Sequence, residues 1–163
     1  MSNSDSVRNK CLIVVFDIDG TLANIEHRLH FILTEGKKDW SRFFSEAVKD
    51  TIIPHVKAVH SLYSRAGYRV IMCTGRPENT RSDTEGWLKE AGISYHALVM
   101  RSTGDHSPDY IAKPKELKSF LASERCTLNE VEVIFEDRVQ VAASWVKCGV
   151  PVFLCGTQWM PIK

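Results

Sequence analysis

Apolar runs that end abruptly in polar residues recur along the chain. Leu12 to Phe16 leads straight into Asp17, Asp19, Gly20 and Thr21. Tyr68 to Cys73 leads into Thr74, Gly75 and Arg76, Ala97 to Met100 into Arg101, and Val131 to Phe135 into Glu136, Asp137 and Arg138. Short unbroken apolar runs of this kind suit strands buried on both faces of a parallel sheet. Val150 to Cys155 reads as a fifth. Between them lie helical patterns: Pro54 to Ala66 with Val56, Val59, Leu62, Tyr63 and Ala66 inward, Asn79 to Ala91, a helix resuming near Pro114 through Leu117, Phe120 and Leu121, and Val139 to Cys148 with Val141, Ala142, Trp145 and Val146 inward. Strand and helix alternate throughout, which predicts an α/β fold: a doubly wound parallel sheet covered on both faces.

One stretch breaks the rhythm. Residues 23–54 are too long for a tight strand–helix turn and read as a small helical insert leaning over the end of the first strand. Within it Trp40, Phe43, Phe44, Ala47 and Val48 share one face of an amphipathic helix, a stripe better suited to packing than to base stacking. His27 and His30 share a face if their segment is helical, but with no third ligand in view they favour a surface or packing role over metal.

Composition narrows the function classes. With 163 residues, 44% apolar and 25% charged, the sequence is that of one ordinary globular domain, residues 11–163 after a polar tail at 1–10. A net charge of +1 excludes a strongly basic nucleic-acid coat while leaving room for a local basic patch. No apolar stretch approaches the ~18 residues of a membrane span, and the tail has no signal-peptide core, so the expected setting is cytoplasmic, without a membrane or a required protein partner. The five cysteines form no CxxC pair and suit buried, reduced thiols.

A doubly wound sheet gathers its strand ends into one crevice. Asp17 and Asp19, two residues apart, project to the same side of the first strand's extension. Carboxylates, a hydroxyl and cations collected there suit metal-assisted attack on a phosphate monoester. A phosphate dianion repels a carboxylate nucleophile unless a hard cation bridges them, and Arg or Lys must take up charge on the transferring oxygens. Asp105 and Asp109, in the polar stretch after Arg101, read as loop solvation and capping.

Asp17-Ile18-Asp19-Gly20-Thr21, Thr74-Gly75-Arg76, Lys113 and Glu136-Asp137 resemble the four motifs of haloacid dehalogenase superfamily phosphatases. Cys73 to Arg76, the run from Met100-Arg101 to Asp109 and Lys113, and Glu136 to Val141 with Trp145 and Gly149 are similar to the phosphatase half of bacteriophage-type polynucleotide kinase/3′-phosphatases. The resemblance implies Mg²⁺ and an aspartyl-phosphate mechanism. Asp17 would be the nucleophile, and Asp19 the general acid and then base, lending its backbone carbonyl to the metal. Thr74 and Lys113 would hold the transferred group, and Asp137, with Glu136, would complete the metal site with Asp17. Gly75, Arg76, Arg101 and Arg138 would serve substrate and site structure. Glu136 stands where many relatives carry a second Asp, and Lys115 is a rival for the role of Lys113.

The reading that follows is a Mg-dependent phosphomonoester hydrolase acting on 3′-phosphates of nucleic-acid ends or nucleotides. The alternatives are a 5′-nucleotidase or other small-molecule phosphatase, a phosphotransferase passing the phosphoryl group to an alcohol, and a non-catalytic phosphate binder. A pure binder has no use for the second carboxylate, Asp19. The chain carries no G-x-x-x-x-G-K-[ST] phosphate loop of a kinase.

Overall fold

A computed structural model describes residues 12–156. The tail at 1–10 and Cys11 lie outside the described residues, and so does the end of the chain from Thr157. Five strands form the central sheet in the order β5-β4-β1-β6-β7. They are β1 (Ile13–Phe16), β4 (Arg69–Pro77), β5 (Ala97–Arg101), β6 (Val131–Glu136) and β7 (Val152–Leu154). Every pairing is parallel, with Val14 beside Val70 on one flank and beside Val133 on the other. The expected doubly wound architecture is what the chain adopts.

Alternation sorts the strand side chains between two cores. Val14, Phe16, Val70, Met72, Val133 and Phe135 face helices α2 (Pro54–Arg65) and α3 (Arg81–Glu90). Ile13, Val15, Ile71, Cys73 and Ile134 face α4 (Asp109–Ser123) and α5 (Val139–Lys147), which contribute Leu117, Leu121, Val141 and Trp145. Because β1 is central and fully covered, the residues that follow it emerge in the middle of the sheet's carboxyl edge.

The insert hangs from a short antiparallel neck, β2 (Ala23–Asn24) against β3 (Thr51–Ile52). Between the neck strands run a 3₁₀ helix, Glu26–Phe31, helix α1 (Trp40–Ser45) and a second 3₁₀ helix, Glu46–Lys49. The single amphipathic face expected for Trp40 to Val48 is therefore split. Phe43 and Ala47 are buried, whereas Trp40 and Val48 are about half exposed, at 47% and 46%. The tighter turn after Ser45 winds the chain toward the start of β3, and the α-helical stripe cannot persist through it.

One further boundary and two helix faces differ from expectation. Helix α4 begins at Asp109, five residues before Pro114, and keeps that proline inside it. On α2 the inward residues are Val56, Val59, His60 and Tyr63, while Leu62 is 59% exposed and Ala66 lies outside the core. His60 takes the core position because its Nε2 finds the Ser94 carbonyl at 2.7 Å and its ring meets Phe16 edge-on. Val146 of α5 likewise turns outward, at 61% exposure. The described cysteines Cys73, Cys126, Cys148 and Cys155 are all free, and burial pushes the Cys73 thiol up to about 12.

Candidate active site

The site is built on the turn that follows β1. Ile18 accepts backbone hydrogen bonds from Thr21, Leu22 and Ala23, which folds the chain back on itself. Gly20 sits in the left-handed region at φ 86°, a conformation that only glycine adopts cheaply. This turn parts the two acidic side chains. Asp17 faces α4 and the end of β6; Asp19 faces the insert.

Asp17 Oδ1 accepts from Lys113 Nζ at 2.6 Å, and Oδ2 accepts from Thr21 Oγ1 at 3.2 Å. Lys113 comes from α4 and also donates to Glu136 Oε2 at 2.8 Å. Lys115, its rival by sequence, is solvent-exposed and pairs with Asp105 instead. Asp105 itself accepts from the backbone and hydroxyl of Ser107, holding the loop as a local turn. Thr74 is buried, and its Oγ1 accepts from the Arg76 backbone at 3.2 Å.

Asp17, Glu136 and Asp137 each offer one carboxylate oxygen, and these lie within 4.8 Å of one another. Burial raises the proton affinity of both Asp17 and Asp137, and repulsion among the three carboxylates raises it further. Burial works against the Lys113 ammonium, but Asp17 and Glu136 keep it protonated well above the usual lysine range. With all three carboxylates ionised, one lysine leaves negative charge uncompensated. A hard divalent ion suits such a donor set: ligands about 2.0–2.1 Å from Mg²⁺ have their oxygens up to about 4.2 Å apart, so small shifts would bring these atoms into one coordination sphere. The Asp19 carboxylate is not in this cluster. Only its backbone carbonyl is left for the metal role that the resemblance assigned.

Asp19 instead enters a buried ion cluster that sequence reading missed. Its Oδ1 accepts from Arg28 Nη2 at 2.6 Å and from Arg76 Nε and Nη2 at 3.0 and 2.6 Å. Asp50 stands opposite, with Arg28 Nε on Oδ1 at 2.7 Å, and Arg28 Nη2 and Arg76 Nη2 on Oδ2 at 2.6 and 3.0 Å. His27 Nε2 lies 2.9 Å from Asp50 Oδ1, which gives His27 a structural partner. Burial opposes ionisation of Asp19, but Arg76 and Arg28 outweigh it and hold the carboxyl well below its usual range. Arg28 and Arg76 are almost wholly buried, at 0% and 1% exposure. Arg76 is thus paired with carboxylates within the protein, which is the site-structure part of the role that the resemblance implies for it.

A second cluster forms where β4, β5, α4 and α5 meet. Arg101 donates to the carbonyls of Gly75, Asp105 and Ser107 and to Asp109 Oδ1, while Arg138 Nη1 donates to Asp109 Oδ2. Asp109, expected as a simple cap, bridges the two arginines. A Cβ on Gly75 would fall 2.7 Å from Asp109 Oδ1, so glycine there is what lets the carboxylate close in. At the far edge of the site, a Cβ on Gly156 would lie 3.3 Å from the Gly20 carbonyl and 4.0 Å from Asp137 Cβ.

Residues 11–157 match the model of the polynucleotide kinase PNKP phosphatase domain. Among solved structures, the chain is similar to one in the Pnkp1/Rnl/Hen1 complex, with 29% identity over 90% of this chain and 46% of that one, at TM-score 0.71. A second, described as the Pnkp1/Rnl/Hen1 RNA repair complex, has 28% identity over 96% and 47%, also at 0.71. The chain therefore spans about half the length of these relatives. The haloacid dehalogenase-like hydrolase SP0104 from Streptococcus pneumoniae shares the fold at 15% identity, over 90% of this chain and 85% of that one, with TM-score 0.59.

Proposed function

From the premise that this chain belongs to the polynucleotide kinase PNKP phosphatase domain family, we propose that it hydrolyses phosphomonoesters at 3′ ends of nucleic acids through covalent attack by Asp17. The observation that carries the reading is the setting of Asp17. Its carboxylate is held between the Lys113 ammonium and the Glu136–Asp137 pair, at the carboxyl edge of the central strand.

Asp17, Asp137 and the Asp19 carbonyl would hold Mg²⁺, with Glu136 beside them. The ion, when bound, supplies charge that lets an anionic phosphorus centre approach an anionic nucleophile. Lys113 fixes the Asp17 carboxylate and stands ready to take up charge on the transferring oxygens. Thr74, within β4 just before Gly75, offers its hydroxyl to the same group. Asp17 attacks phosphorus, the bond to the leaving 3′-oxygen breaks, and an aspartyl-phosphate results. Water then attacks that phosphorus and returns Asp17.

Asp19 serves the two halves unequally. Arg28 and Arg76 hold it as a carboxylate, the form that accepts a proton from attacking water. Donating a proton to the leaving oxygen first requires that the guanidinium grip be loosened. The two-armed clamp supports a design in which substrate arrival rearranges the insert before the first chemical step.

The test is release of inorganic phosphate from a 3′-phosphorylated oligonucleotide, with and without Mg²⁺, by wild-type protein and Asp17→Asn. Metal-dependent release that Asp17→Asn abolishes while remaining folded is the expected result. Equal release by both proteins overturns the assignment of the nucleophile.

A further inference from the structure

We infer that the outer face of the insert, carrying Lys37, Lys38, Trp40 and Arg42, is a subsite for the single-stranded nucleic acid leading up to the terminal phosphate. The inference rests on the phosphatase reading above and adds to it a reason for preferring a polymer over a mononucleotide.

Three observations converge on this face. First, Trp40 is half exposed yet held in place, stacked on Phe44 at 5.9 Å and edge-on to Phe43 at 5.7 Å. An indole pinned by two other rings is a ready surface for a base, and stacking on such rings is tolerant of sequence. Second, three cations flank this indole, with Glu35 and Asp39 interleaved among them along the chain. The Lys38 ammonium lies 5.8 Å from the Trp40 ring and the Arg42 guanidinium 5.0 Å from the Phe31 ring, while Lys37 is exposed beside them. Among the described residues, neither Lys37 nor Lys38 has a carboxylate at ion-pairing distance. The cations closer to the phosphate site are engaged: Arg28 and Arg76 with Asp19 and Asp50, Arg101 and Arg138 with Asp109, Lys115 with Asp105. The phosphates of an extended strand need other partners, and the insert supplies them.

Third, the face is coupled to the chemistry by direct contact. Arg28 donates to Asp19 and, through Nη1, to the Phe43 carbonyl at 3.1 Å; its guanidinium lies 4.2 Å from the Phe43 ring, against which Trp40 packs. A strand seated on Trp40 therefore lies one ring away from the arginine that holds Asp19, close enough to lead its 3′ end to the site. The near-neutral net charge of the chain, +1, fits a short footprint of this kind rather than a long electrostatic track.

The experiment compares wild type with Trp40→Ala and with the double variant Lys37→Glu/Lys38→Glu on a 3′-phosphorylated single-stranded oligonucleotide and on a 3′-phosphorylated mononucleotide. Each variant should lose about tenfold in kcat/KM on the oligonucleotide through KM, a loss in the range of one stacked base, and nothing on the mononucleotide. The double variant should also flatten the slope of log(kcat/KM) against log[salt] by about 1.4, at about 0.7 per phosphate contact on a single strand. Equal losses on both substrates, or none on the oligonucleotide, overturn the inference. If wild type dephosphorylates neither substrate, the phosphatase reading fails by itself. Fluorescence anisotropy with an unphosphorylated oligonucleotide then decides the subsite: weaker binding by both variants supports it, and unchanged binding overturns it.

Discussion

Arg28, on the insert, donates to Asp19 Oδ1 at 2.6 Å, so the segment added after the first strand grips the Asp19 side of the DxDGT turn through a part-buried ion pair. Asp50 completes this grip from the far end of the insert. Asp50→Ala leaves two buried guanidiniums with a single carboxylate between them, and such uncompensated charge costs about 3–5 kcal/mol. Urea unfolding should show that loss. The insert should also become more accessible to protease than in wild type under native conditions, with the central sheet still intact.

Lys113→Met removes the cation that two buried carboxylates share. The metal-free variant is expected to be destabilised by about 3–5 kcal/mol, and its phosphate release to fall by about 10²–10³ in kcat, the scale of losing a charge-stabilising donor. Mg²⁺ should raise the variant's Tm more than it raises that of wild type, because the ion then answers a larger deficit. Thermal melts with and without the metal check this.

The acidic cluster also sets a pH dependence for the metal-free protein. Asp17 and Asp137 hold protons more tightly folded than unfolded, so the stability they lend is fully present below about pH 4 and is lost as pH rises through about 7 for Asp17 and about 10 for Asp137. Asp19 acts in the opposite sense: its stabilisation is present above about pH 4 and is lost in stronger acid. Metal-free Tm should therefore peak in mild acid and decline toward neutral and alkaline pH. Mg²⁺ should abolish most of the decline, and its binding should release protons, measurable by calorimetry in buffers of different ionisation enthalpy.

Gly75→Ala is expected to cost about 1–3 kcal/mol, the price of overpacking, because its Cβ would press on Asp109. Asp109→Ala removes the obstacle as well as the bridge between Arg101 and Arg138. The double variant should thus lose less than the sum of the single losses, a coupling that a double-mutant cycle by denaturant unfolding resolves. Strict additivity would show that the close approach carries no energy.

The sheet and the positions of its polar ends were legible because buried parallel strands leave continuous apolar runs, and Asp17, Thr74, Lys113, Glu136 and Asp137 follow or face such runs. Arg28 and Asp50 were not. They lie 22 residues apart on an irregular insert, and nothing in the local pattern distinguishes a buried charged side chain from a solvated one. His60 was missed for a related reason. A histidine reads as polar until a carbonyl such as that of Ser94 is known to satisfy one ring nitrogen. Asp109 reads as a helix cap because no local pattern signals that Gly75, 34 residues earlier, opens a gap for its carboxylate.

Parallel strands impose a polarity on how the chain can be extended. Residue 12 sits at the blunt pole of the sheet, while the backbone leaving β7 passes Gly20 and Asp137 at Gly156. A reporter fused ahead of β1 starts on the side away from the catalytic doorway, whereas one joined directly after Gly156 starts at its threshold. Purification handles and fluorescent partners therefore belong upstream, or need a generous tether downstream, if turnover is to be measured undisturbed.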